Sequence, residues 1–248
     1  MPFRDYFSSI AEKYAEHRPG YPAEMFDYLA SLAPGRDLAW DCGTGSGQAA
    51  LELAGRFDRV IATDASAEQL KYARPHPRIT YLVERAERSS NPANSVDLIT
   101  AGTAVHWFDF DAFYEEVRRA GKPGGVLAVW TYFRPYLEPH IDEIIFDFYG
   151  KTLNGYWPER IHYLAEGYRT LPFPFEEIEP PEFHVEAQWT LEDLLGFLSS
   201  WSAVKRYLEQ EDYHPVGLIL DDLKRYWGQE DQQRTIRWPL YFRIGRLP

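Results

Sequence analysis

Asp41-Cys42-Gly43-Thr44-Gly45-Ser46-Gly47 decides how this chain is read. The apolar run Leu38–Cys42 leads into it and the helix-like run Gly47–Arg56 follows, so the glycines lie at a strand-to-helix turn. Glycine lets the backbone turn tightly there and approach a ligand without a Cβ in the way. The helix start beyond it offers N–H groups that no helical carbonyl takes. A second acid, Asp64, closes the next apolar run, 23 positions after Asp41 (64 − 41). A carboxylate at that place can accept both hydroxyls of a ribose. An adenosine-type cofactor follows, but not which one. Gly45-Ser46-Gly47-Gln48-Ala49-Ala50 also satisfies the G-x-G-x-x-A dinucleotide pattern, so a nicotinamide cofactor fits these residues too.

Outward from the loop, residues 37–130 alternate short apolar runs with helical segments, which is the signature of βαβ units and a parallel sheet. Strands are predicted over Leu38–Cys42, Arg59–Thr63, Ile79–Val83, Val96–Ala101 and Val126–Trp130. Helices are predicted over Gly47–Arg56, Ala67–Ala73 (capped by Ser66) and Asp109–Ala120, the last stopping at Gly121-Lys122-Pro123-Gly124-Gly125. Beyond Tyr132 the rhythm changes. Pro135–Pro181 is rich in aromatics and proline, with helical stretches near Ile141–Tyr149 and Glu159–Tyr168. Phe183–Trp189 alternates like a half-exposed strand. Leu191–Leu208 and Val216–Trp227 read as helices and Thr235–Ile244 as a last strand.

With 248 residues, 45% of them hydrophobic, the chain can bury one large core. We expect a single domain: a helical segment over the cofactor (1–35), a cofactor-binding core (36–132), a cap insertion (133–181), and strands and helices completing the sheet (182–248). The net charge of −12, with Lys and Arg scattered among acids, argues against nucleic acid as a partner. Arg234, Arg237, Arg243 and Arg246 spread along the last predicted strand and read as a solvated edge. No apolar run is long enough for a membrane helix, no signal-peptide pattern stands at the start, and Cys42 has no second cysteine to pair with. A cytoplasmic protein without a membrane partner, monomer or homodimer, is the expectation. No Ser/His/Asp order, no Cys/His spacing for a metal and no P-loop lysine is present, so hydrolysis, zinc chemistry and nucleotide triphosphate use have no support and no metal is expected.

Asp41 through Gly47 resembles motif I of the class I S-adenosylmethionine (SAM)-dependent methyltransferases, an acid followed by alternating glycines. Asp64 matches their ribose-binding acid. Ala86-Glu87, with Asn94-Ser95-Val96-Asp97-Leu98-Ile99, resembles their adenine-side loop and fourth strand, and Lys122-Pro123-Gly124-Gly125-Val126-Leu127 the entry to their fifth. A narrower likeness, to methyltransferases of the trans-aconitate type, rests on Phe7, Tyr14, Arg18-Pro19-Gly20-Tyr21-Pro22, His106-Trp107-Phe108-Asp109 and Trp201-Ser202-Ala203-Val204.

The resemblance implies a Rossmann-like α/β fold: a mostly parallel seven-stranded sheet, helices on both faces, and a helical cap insertion before the last two strands. It implies SAM as cofactor and S-adenosylhomocysteine as product. Gly43 and Gly45 would face the methionine part, with Asp41 near the ammonium. Asp64 would hold the ribose, Ala65 would pack on the adenine, and Ala86 or Glu87 would meet the adenine edge. The backbone at Thr103 would complete the methionine site, and Tyr14 and Arg18 would close over it, Arg18 pairing the carboxylate.

His106 follows the predicted fourth strand at the carboxyl-end crevice, where open α/β sheets bind ligands, and is the candidate catalytic base or orienting group. Trp107, Tyr132 and Trp201 are candidate acceptor-binding residues, with Trp157 and Phe133 behind them. Buried cysteines pack as small hydrophobes, and Cys42 is assigned that role. The expected activity is methylation of a small molecule, through oxygen of a carboxylate or another small metabolite. A nicotinamide-dependent oxidoreductase and a non-catalytic SAM-binding protein remain the alternatives.

Overall fold

The computed structural model describes residues 20–248, so Tyr14 and Arg18 lie outside the described residues. The strands are β1 (Leu38–Cys42), β2 (Arg59–Asp64), β3 (Ile79–Val83), β4 (Val96–Gly102), β5 (Gly121–Thr131), β6 (Glu176–Glu177), β7 (Phe183–Trp189) and β8 (Arg234–Arg246). The sheet runs β3-β2-β1-β4-β5-β8-β6, with β7 pairing β8 off this path. From β3 to β5 neighbours are parallel, and β8 is antiparallel to both β5 and β6. This is the mostly parallel Rossmann-like sheet expected. It has one strand more than seven, because the two-residue β6 is too short to leave an alternation in sequence.

By contacts the described residues form two compact units. The first comprises Gly20–Phe133, His162–His184 and Leu240–Pro248, and the second Arg134–Ile161 and Val185–Pro239. In the first, β1 and β4 are buried along almost their whole length, as strands covered on both faces are, and this is why they read as short, mainly apolar runs in spite of Asp41, Asp97 and Thr100. Trp40 of β1 is fully buried, and its indole N–H donates to Thr63 Oγ1 of β2 at 2.9 Å.

Helix α1 (Ala23–Leu32) buries Met25, Phe26 and Leu29. Helix α2 (Gln48–Ala54) starts one residue later than predicted, because Gly47 is its left-handed cap at φ 82°. Helix α3 is only Ala67–Leu70, capped by Ser66 as expected, and buries no residue that would extend it. Helix α4 (Phe110–Ala120) is capped by Asp109, whose side chain accepts from the Ala112 N–H. It carries Asp111 at its start and Arg118 and Arg119 at its end, matching the helix dipole, and buries Phe113, Tyr114 and Val117.

Strand β5 begins at Gly121, not Val126. Gly121 already pairs with Val96, and the register then jumps to Leu98 opposite Val126, so the predicted turn is a bulge inside the strand. Its Lys122 reaches Asp97 Oδ1 and Asp37 Oδ2, both at 2.8 Å, while Asp97 Oδ2 accepts the N–H groups of Asp37 and Leu38. That cluster ties β1, β4 and β5 at their amino ends, opposite the glycine loop.

The second unit holds α5 (Pro139–Asp147), α7 (Leu191–Ser199), α8 (Ser202–Leu208) and α9 (Leu220–Trp227); the short α6 (His162–Ala165) belongs to the first. A Thr190–Asp193 capping box starts α7. The helix predicted over Leu191–Leu208 breaks at Ser200-Trp201, where Trp201 is extended (φ −63°, ψ 138°) and opens α8. Among the described residues no helix is long and apolar enough to cross a membrane, and no cluster of three or more His, Cys, Asp or Glu suited to a metal is present.

Candidate functional site

The carboxyl ends of β1, β2 and β4 meet at the glycine loop, and the first unit builds the candidate site there. Gly43, Gly45 and Gly47 all hold left-handed backbone, at φ 64°, 56° and 82°. Their surroundings differ. A Cβ on Gly43 would come to 2.6 Å from that of Ala104, and one on Gly47 to 2.6 Å from the Tyr81 hydroxyl, so both glycines admit close packing. Among the described residues, a Cβ on Gly45 would meet only Gln69 Oε1, at 3.9 Å. Gly45 therefore turns an open backbone face outward, which is what a ligand needs to come against the chain.

Asp41 is almost completely buried. Thr44 Oγ1 donates to its Oδ2 at 2.6 Å and Thr100 Oγ1 to its Oδ1 at 2.8 Å. Burial pushes its carboxyl up to about 6, against the opposing pull of those two hydroxyls and of the Ala50 N–H. Asp64 is half-buried. The Gly45 N–H donates to its Oδ2 at 2.9 Å and the Ser66 N–H to its Oδ1 at 2.8 Å. Each oxygen keeps a further lone pair, so the carboxylate can hold the loop and still accept ribose hydroxyls. Ala65 beside it is exposed, as a surface under a flat base must be before the base arrives.

Ala86 is buried, and Glu87 sits in the turn closed by Arg88 N–H to the Arg85 carbonyl. Burial works against the Glu87 carboxylate, but the N–H groups of Asp109 and of Glu87 itself, with the Arg85 guanidinium, outweigh it and hold the carboxyl below its usual range. Thr103 stands at φ 52°, rare for a β-branched residue, and donates its N–H to the Trp130 carbonyl at 2.7 Å. Among the described residues its buried Oγ1 has no hydrogen-bond partner. A hydroxyl so placed could meet the ammonium or carboxylate of a methionine moiety. The open face at Gly45, the spare lone pairs of Asp64 and the Thr103 hydroxyl fit the cofactor that the sequence implies.

His106 lies in a single 3₁₀ turn, Val105–Trp107, directly after β4. It is buried, and its Nδ1 shares a hydrogen bond with the Tyr168 hydroxyl at 2.9 Å. Tyr168 is itself fully buried and left-handed (φ 60°), following the left-handed Gly167. Burial drives its hydroxyl far above the ordinary phenol range, so it keeps its proton. Arg243 pins this strained pair: its guanidinium donates to the carbonyls of Tyr168 and Leu171 and grips both oxygens of Glu177, at 2.6 and 2.7 Å. Arg243 is thus a clamp inside the first unit, not the solvated edge residue the sequence suggested.

Trp107 is 56% exposed, with its ring against that of His106 at 4.7 Å. Tyr132 packs on Tyr21, at 6.3 Å between ring centres. Trp201 belongs to the second unit, among Phe148, Tyr149, Trp157 and Phe197. Cys42 is buried and packs, as assigned. Sequence reading missed the partners. Thr44 and Thr100 hold Asp41, Tyr81 covers Gly47, and Tyr168 holds His106. Of these, only Thr44 stands within a recognisable motif.

A family model described as a methyltransferase domain matches residues 40–129. A methyltransferase-named protein of Dictyostelium discoideum is 32% identical over 98% of this chain and 95% of its own length. A solved structure from Anaeromyxobacter dehalogenans, named for a type II methyltransferase, is 42% identical. It superposes with a TM-score of 0.87 over 93% of this chain and 99% of its own. A Saccharomyces cerevisiae protein named as a probable SAM-dependent methyltransferase is 23% identical over 99% of both chains.

Proposed function

The chain belongs to the class I SAM-dependent methyltransferases, and we propose that it methylates a small molecule on oxygen, a carboxylate being the first candidate. Membership in that family sets aside the nicotinamide reading of Gly45–Ala50. The observation that carries the proposal is the buried His106–Tyr168 pair at the end of β4, two polar side chains hydrogen-bonded beside the glycine loop. The acidic charge of the chain and its scattered basic residues speak against nucleic acid as acceptor. The likeness of His106-Trp107-Phe108-Asp109 to the trans-aconitate type favours oxygen.

SAM, when bound, supplies a methyl group already activated by the sulfonium. Gly43, Gly45, Asp41 and Thr103 would hold its methionine part, Asp64 its ribose, and Ala65, Ala86 and Glu87 its adenine. The work left to the protein is alignment and exclusion of water. An acceptor carboxyl with a pKa of about 4 is ionised at neutral pH and needs no base. For such an acceptor His106 orients the oxygen. For a phenol a base is needed, and His106 is the candidate.

The test is incubation with SAM and a panel of mono-, di- and tricarboxylic acids, phenols and amines, with methyl esters and ethers read by mass spectrometry. Esters formed from carboxylic acids, with kcat independent of pH above the acceptor's own pKa, are the expected result. Methylation of amines alone would overturn the oxygen assignment.

A further inference from the structure

Trp130, near the carboxyl end of β5, is fully buried, yet among the described residues its indole N–H has no hydrogen-bond partner. An indole nitrogen only donates, and a buried donor left without an acceptor is unfavourable unless a ligand completes it. The register places this group on one sheet face with the cofactor loop's acid. Asp41 pairs with Thr100 and Gly102 with Trp130, and every second residue along a strand shares a face. Gly102 is the residue that admits the indole. A Cβ there would lie 2.8 Å from ring Cζ2 and 3.1 Å from Nε1.

Strand order supplies direction. The ribose acid is on β2, to one side of the glycine loop, while β4 and β5 continue on the other, the side left for a second substrate. The neighbours of the indole are rings: Tyr21 perpendicular to it at 5.5 Å, Phe26 at 6.0 Å, and Phe242 at 6.1 Å. Tyr132 adjoins Tyr21. Aromatic walls favour a flat apolar body, and a donor-only nitrogen selects an atom bearing lone pairs.

Resting on the methyltransferase reading of this site, we propose that Trp130 anchors the methyl acceptor: its indole N–H donates to a carboxylate or carbonyl oxygen of a flat, unsaturated acid held among Tyr21, Tyr132 and Trp130. No covalent step involves Trp130. It selects the acceptor by oxygen and shape, and rejects an ammonium at the same position.

The test uses the ¹⁵N-labelled full chain saturated with S-adenosylhomocysteine, with the Trp130 indole resonance assigned by its loss in Trp130→Phe. Titration with cinnamate and with trans-aconitate should move that proton resonance downfield and saturably with at least one of the two. Phenethylammonium should leave it in place. Trp130→Phe keeps an aromatic ring, so it should weaken binding of the active acid about tenfold while homocysteine-compound affinity is unchanged. An indole resonance that neither acid moves at millimolar concentration, or that the ammonium moves equally, overturns the assignment; the ring face of Tyr21 would then be the partner of the N–H. Failure of S-adenosylhomocysteine to bind at all is a separate outcome, which removes the methyltransferase reading together with this one.

Discussion

Gly45 and Gly47 share left-handed backbone but not surroundings, so alanine at each position separates what the loop does for the fold from what it does for the cofactor. Left-handed alanine costs about 1 kcal/mol at either site. At Gly47 the added methyl also meets the Tyr81 hydroxyl at 2.6 Å and Cε1 at 3.0 Å. The ring must move, its hydrogen bond to the Arg74 carbonyl (3.1 Å) is lost, and roughly 2–3 kcal/mol is added by the displaced ring and the broken bond. Gly47→Ala should therefore lose about 3–4 kcal/mol in urea titration, the sum of those two estimates. At Gly45 the methyl meets nothing among the described residues closer than 3.9 Å, so stability should fall by only about 1 kcal/mol. That methyl would occupy the open face where the cofactor approaches, and S-adenosylhomocysteine affinity by calorimetry should drop at least tenfold, about 1.4 kcal/mol. If Gly45→Ala binds the homocysteine compound like the wild type, or destabilises as much as Gly47→Ala, the open face at Gly45 is not the cofactor's.

Three further outcomes follow from particular contacts. Asp41 has its carboxyl raised from 3.8 to about 6, so the folded chain binds a proton the unfolded chain does not, and its contribution to stability is present below pH 4 and lost as pH rises through 6. If the cofactor's ammonium comes to Asp41, binding should expel that proton: S-adenosylhomocysteine affinity should rise with pH between 5 and 7, with proton release in calorimetry across buffers, whereas a flat profile would remove Asp41 from the methionine site. Tyr168→Phe leaves a ring nitrogen of buried His106 without its hydroxyl and should cost about 1–3 kcal/mol, some 2–12 °C in melting temperature for a chain of this size, while leaving S-adenosylhomocysteine affinity unchanged. Lys122→Met strips the buried Asp97 of its cation but not of its two backbone donors; a loss of about 2 kcal/mol in urea titration with unaltered cofactor affinity is expected, because the cluster lies at the amino ends of the strands.

The parallel core was legible because its determinants are local. Strands covered on both faces are mainly apolar, and β1, β2 and β4 are short, mainly apolar runs ended by the residues that turn the chain. Where pairing overrides local preference, the reading erred. Gly121-Lys122-Pro123-Gly124-Gly125 has the composition of a turn, yet Gly121 is drawn into β5 by Val96 and the surplus residues bulge. Ser200-Trp201 has no breaker in it, yet α7 and α8 part there.

The site divides along the same line. Glycines and acids at strand ends announce themselves because the backbone conformations they adopt, and the ribose hydroxyls they are proposed to serve, are fixed by the fold's geometry. The groups that tune them do not, because a buried carboxylate or imidazole can be satisfied by any hydroxyl that the chain brings near. Thr100 reaches Asp41 across 59 positions and Tyr168 reaches His106 across 62. Tyr168 comes from the proline- and aromatic-rich stretch in which no motif stands, held by Arg243 from the last strand. A relative that kept the glycine loop and both acids but lost this tyrosine would therefore still bind the cofactor, and would differ in how it holds His106. The proposed cofactor residues stand in short local motifs at strand ends, whereas His106 depends on contacts that only the folded chain assembles.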